Sequence, residues 1–171
     1  MIKLPMSIEP AKMEGRGAKA EVYAGLLSQL GAVFEGEKEL ISNMANCAAL
    51  LYHTLEDLNW AGFYLSRGED LVLGPFQGQP ACVRIPRGKG VCGAAAFKRQ
   101  TIVVADVREF PGHIACDAAS RSEIVVPLIA GSRLVGVLDL DSPIVNRFDA
   151  ADQAGLEPIA RRLLDGSELG M

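Results

Sequence analysis

The chain has 171 residues, 49% of them apolar and 22% charged, and a formal net charge of -4. That length suits one domain with a substantial core and is short for two. It holds no basic run and no Lys/Arg-rich helix, which makes nucleic acid and anionic membranes poor partners.

The opening MIKLPMSIEP is interrupted by Pro5, Glu9 and Pro10, so it lacks a signal-peptide core. No run reaches the roughly 18 apolar residues of a membrane span. A cytoplasmic protein is therefore expected. Residues 1–17 are polar and contain Gly and Pro, which predicts a loosely held tail before a domain over 18–171. Apolar residues then recur at helical spacing through Val22, Leu26, Leu30 and Phe34, and again through Leu40, Met44, Ala48, Leu51 and Leu55. Cys47 lies beside the second apolar face and is expected to be a small buried hydrophobe.

The pattern next turns strand-like. NWAGFYLS over 59–66 and DLVLGPF over 70–76 flank Arg67-Gly68-Glu69, which predicts a hairpin. Residues 77–90 are rich in Gly and Pro and predict a long surface loop bearing Cys82. A short helix over 91–99, a strand over 101–105 and a second loop over 106–122, which carries Cys116, follow. EIVVPLIA and RLVGVLDLD are separated only by Gly131-Ser132, a second hairpin. The last helix should start near Asp149, a good N-cap residue, with Pro158 kinking or breaking it. Hairpins dominate over βαβ crossovers, so the fold class is α+β with a mainly antiparallel sheet and helices on one face.

Four cysteines in a reducing compartment, with no C-x-x-C and no common zinc spacing, lean towards redox chemistry. Cys82, Cys92 and Cys116 all fall in or beside loops, where functional residues gather. The string GKGVCG over 88–93 spells G-x-G-x-x-G. The segment before it is a weak strand ending in proline and the helix after it has about two turns, which argues against a dinucleotide-binding unit. The same glycines fit a tight turn feeding the helix that carries Cys92. A thiol in a first helical turn is expected to have a lowered pKa.

Alternation along 133–141 puts Val135, Val137, Asp139 and Asp141 on one face and Leu134, Leu138 and Leu140 on the other. With Glu123 opening the neighbouring strand, these acids either hold a cation at the sheet's rim or simply end strands in water. Trp60 and Tyr64 share a strand face, as core packing or as a ligand wall with space left by Gly62. His113 could join the three loop cysteines around zinc, but the irregular spacing and separate loops argue against it.

The strings GPFQGQPACVRIPRGKGVCGAAA, FPGHIACD, SEIVVPL and GVLDLDSP, with NWAGFYL upstream, together resemble the free methionine-(R)-sulfoxide reductase family, which is built on a GAF domain. The resemblance runs from about Ala18 to about Leu164. It implies a single GAF domain of about six strands with long loops over the active site. By position, it implies that Cys116 attacks the substrate, that Cys82 is the principal resolving cysteine, and that Cys92 can join the relay. It also implies a substrate pocket lined by Trp60, Tyr64, Glu123, Asp139 and Asp141. The implied reductant is thioredoxin and the implied assembly a homodimer. A sulfenic acid that condenses with a second thiol would carry the reaction, with no metal or organic cofactor. Helix position favours Cys92 as the acidic thiol, whereas the resemblance names Cys116. The tail before Ala18 and Pro158 depart from the family pattern, both away from the cysteines. A ligand-binding GAF sensor and a peroxide-sensing thiol switch are the rival readings.

Overall fold

The structure, a computed structural model, describes residues 15–114 and 116–170. Two helices come first, α1 (Gly15–Val33) and α2 (Leu40–Thr54). The expected tail therefore lies outside the described residues up to residue 14, and its last three positions are helical. Strands β1 (Trp60–Arg67), β2 (Asp70–Gly78) and β3 (Arg84–Pro86) follow, then α3 (Gly90–Lys98) and β4 (Ile102–Val104). After a 3-10 turn over Val107–Glu109 come β5 (Ser122–Ala130), β6 (Arg133–Ser142) and α4 (Ala150–Gly166).

The six strands form one sheet in the order β3-β2-β1-β6-β5-β4, and every pairing is antiparallel. β1 and β6 are central because the two hairpins, β1–β2 and β5–β6, meet along them. The loop expected over 77–90 contains β3, which pairs Ile85 with Leu71. Three residues ending in Pro86 fall below what strand periodicity can reveal; Pro86 fits because β3 is an edge strand.

Alternation sorts the sheet into two faces. Ala61, Phe63 and Leu65 of β1, Ile124, Val126 and Leu128 of β5, and Leu138 and Leu140 of β6 pack with α1, α2 and α4 in the main core. Leu26, Leu30, Met44, Leu51, Leu156, Ile159 and Leu163 supply the helical side of that core. Cys47 is fully buried among them, and burial pushes its thiol up to about 12, the inert small hydrophobe expected. The three long helices thus take one face. The short α3 lies on the opposite face, where Val91, Cys92 and Ala95 pack with Trp60, Tyr64, Leu71, Val125 and Val137.

One facing differs from the simple alternation. Val135 joins the main core and Leu134 packs on the other face. The register steps from Leu128–Gly136 to Ile129–Leu134, so β6 carries one extra residue there. Such a bulge swaps the faces of everything before it. From Val137 onward the expected order holds, with Asp139 and Asp141 on the face opposite Leu138 and Leu140.

Helix α4 begins as expected: Asp149 caps it, with Asp149 and Asp152 forming a reciprocal capping box. Pro158 does not break it, and the helix runs on to Gly166. The amide that proline lacks costs helix stability. Burial of Leu156 before it and of Ile159 and Leu163 after it holds both halves on the sheet. The buried Asp152 also accepts hydrogen bonds from Lys19 and Tyr23, tying α1 to the start of α4.

Candidate active site

The sheet face opposite the long helices carries a polar row built by register alone. Trp60 of β1 pairs with Asp141 of β6, which pairs with Glu123 of β5. One step along, Gly62 pairs with Asp139, which pairs with Val125. The three acids therefore sit together on the two central hairpins, under α3 and the loop before β5. They line a cleft with Trp60, Tyr64, Cys92, His113 and Cys116.

Glu123 and Asp139 do not end their strands in water, and Asp141 is half-buried. Glu123 and Asp139 are 6% and 5% exposed. Among the described residues, no Lys or Arg lies within ion-pair distance of Glu123, Asp139 or Asp141. Burial, and then the charge of Asp139, push the Glu123 carboxyl well above its usual range. Burial raises Asp139 to about 7, and burial followed by the Asp139 charge raises Asp141. His113 Nε2 lies 3.8 Å from Glu123 Oε2. Burial lowers the His113 pKa, so this contact is not a standing ion pair near neutrality. Asp139 Oδ1 is buried without a hydrogen-bond partner among the described residues.

The thiols divide into a pair and a singleton. Cys82, just before β3, and Cys116, in the loop before β5, are joined as a disulfide with Cα atoms 5.3 Å apart. Cys92 is free, with its Sγ 3.9 Å from Glu123 Oε1. This corrects the expectation for Cys92. It does sit in the first turn of α3, but it is only 3% exposed. Burial, and then the negative charges of Asp139 and Glu123, push its thiol well above the ordinary value. Desolvation beside two carboxylates outweighs the helix dipole. The turn before α3 is as expected: Gly90 has φ +60°, and a Cβ at Gly93 would lie 2.5 Å from the Pro86 carbonyl oxygen.

The aromatic wall also differs in one respect. Trp60 is stacked between Phe76, at 5.4 Å and 13°, and Tyr64, at 5.8 Å and 25°. The space at Gly62 is filled by these rings rather than left for a ligand. A Cβ there would lie 2.4 Å from Phe76 Cβ and 2.6 Å from the Trp60 ring. The Tyr64 hydroxyl donates to the Cys82 carbonyl oxygen at 3.0 Å, fixing the disulfide loop to β1.

Sequence reasoning missed the clamp under Cys116. Asn59 Nδ2 donates to Asp117 Oδ2 at 2.8 Å and to Ser120 Oγ at 3.0 Å. Ser120 is buried and hydrogen-bonds Asp141, and Asp117 and Ser120 both line the cleft. Asp117 and Ser120 lie in an aperiodic loop, where no spacing signal exists beyond nearness to Cys116, and Asn59, before β1, is far from both in sequence. The four-ligand set of His113 with three cysteines does not assemble, because Cys82 and Cys116 are bonded to each other.

Comparison with known proteins agrees with this architecture. The GAF domain family model matches residues 41–163. The free methionine-R-sulfoxide reductase of Escherichia coli (strain K12) is 51% identical over 145 residues, covering 85% of this chain and 88% of that one. A solved structure from Burkholderia vietnamiensis, described as a GAF sensor protein, is 59% identical with a TM-score of 0.85, covering 87% of this chain and 95% of that one. The free methionine-R-sulfoxide reductase of Neisseria meningitidis, solved in complex with its substrate, is 42% identical with a TM-score of 0.86 and 95% coverage of both chains. No described helix is long and apolar enough to cross a membrane. With its GAF fold, its cleft of thiols and buried acids, and half its residues shared with a named reductase, the chain belongs to the free methionine-R-sulfoxide reductase family of GAF-domain oxidoreductases.

Proposed function

We propose that this chain reduces free L-methionine-(R)-sulfoxide to methionine, with Cys116 as the attacking thiol and Cys82 as the resolving one. The observation that carries the reading is the meeting, in one cleft, of the Cys82–Cys116 disulfide with three acids that have no Lys or Arg partner among the described residues.

The Cys116 thiolate attacks the sulfoxide sulfur while an acid protonates the oxygen. The S–O bond breaks, the substrate leaves as a thioether, and the oxygen ends on Cys116 as a sulfenic acid. Cys82 condenses with it, forming the disulfide and releasing water. A dithiol, thioredoxin in our proposal, exchanges with that disulfide and restores both thiols. The balance is one sulfoxide and one dithiol giving one thioether, one disulfide and one water. Cys92 is proposed as a third thiol reached by later exchange, because burial disfavours its thiolate as a first attacker.

The acids divide the remaining work. Glu123, whose pKa is raised by burial and then by the charge of Asp139, holds its proton more tightly than an acid in water and is proposed to give it to the sulfoxide oxygen. Asp139 and Asp141 take the substrate's ammonium group, and the unpaired Asp139 Oδ1 is the natural acceptor. Trp60 and Tyr64 supply an apolar wall for the methyl end. A peptide-bound methionine sulfoxide has no ammonium to offer and would leave Asp139 unpaired, so the free amino acid is preferred. We extend the proposal to a cytoplasmic setting, whose reducing poise suits a cycling disulfide, and to a homodimer.

The test is a coupled assay with thioredoxin, its reductase and NADPH, offering free Met-R-sulfoxide and Met-S-sulfoxide separately. NADPH consumption with the free R form alone is the expected result. Folded, fully reduced protein that turns over neither form would overturn the reading.

A further inference from the structure

Cys92, Glu123 and Asp139 each offer one ligand atom, all within 4.8 Å of one another, and all three residues are buried. His113 Nε2 lies beside this group, 3.8 Å from Glu123 Oε2, and would have to swing in to join it. Around a tetrahedral zinc, with bonds of about 2.0–2.3 Å, neighbouring ligand atoms lie roughly 3.3–3.6 Å apart. The Cys92 Sγ to Glu123 Oε1 separation of 3.9 Å closes to that edge with a shift of a few tenths of an ångström.

We propose that Cys92, Glu123, Asp139 and His113 form an inhibitory binding site for a borderline-soft divalent cation, of which Zn²⁺ is the type. One thiolate, one imidazole and two carboxylates form a donor set that zinc accepts, whereas Mg²⁺ and Ca²⁺ want oxygen alone. The acidic cluster does not stand alone as evidence. Asp139, 5% exposed, has an oxygen in the cleft with no hydrogen-bond partner among the described residues, so an acceptor already awaits a cation. Among the described residues, no Lys or Arg lies within ion-pair distance of Glu123 or Asp139.

This site differs from a cluster of the loop cysteines. Cys82 and Cys116 hold each other, and all four proposed ligands lie outside that disulfide. The ion therefore binds the oxidised protein, caps the one free thiol in the cleft, and occupies the carboxylates proposed for the substrate's ammonium. Binding itself does not rest on the substrate reading; only the competition does.

Cobalt(II) is the probe, added to the full chain with Cys82–Cys116 oxidised. The expected result is a near-ultraviolet thiolate-to-cobalt band with visible bands of tetrahedral cobalt, bleached by one equivalent of Zn²⁺. Cys92→Ser should lose the thiolate band, and Asp139→Asn should weaken cobalt binding at least about tenfold. Circular dichroism checks that each variant folds, with Cys92→Ala and Glu123→Gln as substitutes. No thiolate band in the oxidised wild type, a band that survives in Cys92→Ser, or one seen only after Cys82–Cys116 is reduced would overturn the proposal. Free methionine sulfoxide should displace the cobalt. A band that persists unchanged against it counts against the ammonium subsite, and leaves the metal site standing.

Discussion

Glu123 and Asp141 face each other as register partners across β5 and β6, with their side chains on the same side of the sheet. Two carboxylates so placed, with Asp139 one step away, repel one another when all are ionised, and burial amplifies the cost. The site therefore keeps protons that acids in water would lose. That single property supports both a proton donor and a subsite for a cation.

The first prediction concerns the thiols. Cys116→Ser should lower turnover by on the order of a thousandfold or more, while binding of free methionine sulfoxide, followed by calorimetry, persists. In Cys82→Ser one turnover should leave a sulfenic acid at Cys116, trapped by a dimedone-type reagent and located by mass spectrometry. Trapping at Cys92 instead would reassign the nucleophile.

Asp139→Asn tests the ammonium subsite. Loss of a charge-assisted hydrogen bond is worth about 1.5–3 kcal/mol, which predicts a KM raised roughly 10- to 150-fold with a smaller change in kcat. The same variant should unfold at a higher temperature, since it removes a buried acid without an ionic partner. An unchanged KM would move the ammonium elsewhere.

Stability should depend on pH with a definite sign. Unfolded carboxyl groups titrate near about 4, whereas Glu123, Asp139 and Asp141 are raised in the folded protein, Asp139 to about 7. The folded state then binds more protons than the unfolded one across this window. Their contribution is complete below about pH 4 and is lost as pH rises towards the folded values, at up to about 1.4 kcal/mol per pH unit per group. Urea midpoints between pH 4.5 and 7.5 should fall, and fall less in Asp139→Asn. A slope identical in wild type and variant would exclude Asp139 as a contributor.

Gly62→Ala places a methyl 2.4 Å from Phe76 Cβ and 2.6 Å from the Trp60 ring. Overpacking of this kind costs about 1–3 kcal/mol, and here it also tilts the indole that lines the cleft. Thermal unfolding should show the loss, and Trp60, the only tryptophan, should report the displacement by fluorescence.

Asn59→Ala removes the two side-chain hydrogen bonds that hold Asp117 and Ser120 beneath Cys116. Disulfide formation after sulfoxide addition, followed by quenched alkylation, should slow by about tenfold, with substrate affinity changed less. Equal losses in affinity and rate would point to a general collapse of the loop.

What the sequence disclosed followed periodicity. Long amphipathic helices and both hairpins have repeating patterns, so α1, α2, β1, β2, β5 and β6 were legible to within a few residues. β3 was not, being three residues long in a Gly- and Pro-rich stretch. The facing of Leu134 and Val135 escaped because a bulge leaves no trace in an alternation of apolar residues. Spacing places Asp139 and Asp141 on one face, but it does not reveal the burial of Asp139 or the partial burial of Asp141. That burial depends on α3 and the Cys116 loop closing over them, contacts between segments distant in sequence. The Cys92 thiol departs from its sequence expectation for the same reason: helix position is local, whereas the burial and the two strand carboxylates that raise its pKa arise from tertiary packing. The pairing of Cys82 with Cys116 rested on family resemblance alone, since spacing cannot choose among partners.

The Cys82–Cys116 bond joins residues 34 apart and encloses β3, α3 and β4 in a covalent ring. In the chain-entropy description, a ring of that size restrains the unfolded chain by about 3–4 kcal/mol. The segment is an open chain in one redox state and a closed loop in the other. On the proposed cycle, which makes and breaks this bond at every turnover, the protein would alternate between two resistances to unfolding. A pool kept busy with oxidant should withstand heat and protease better than the same pool at rest.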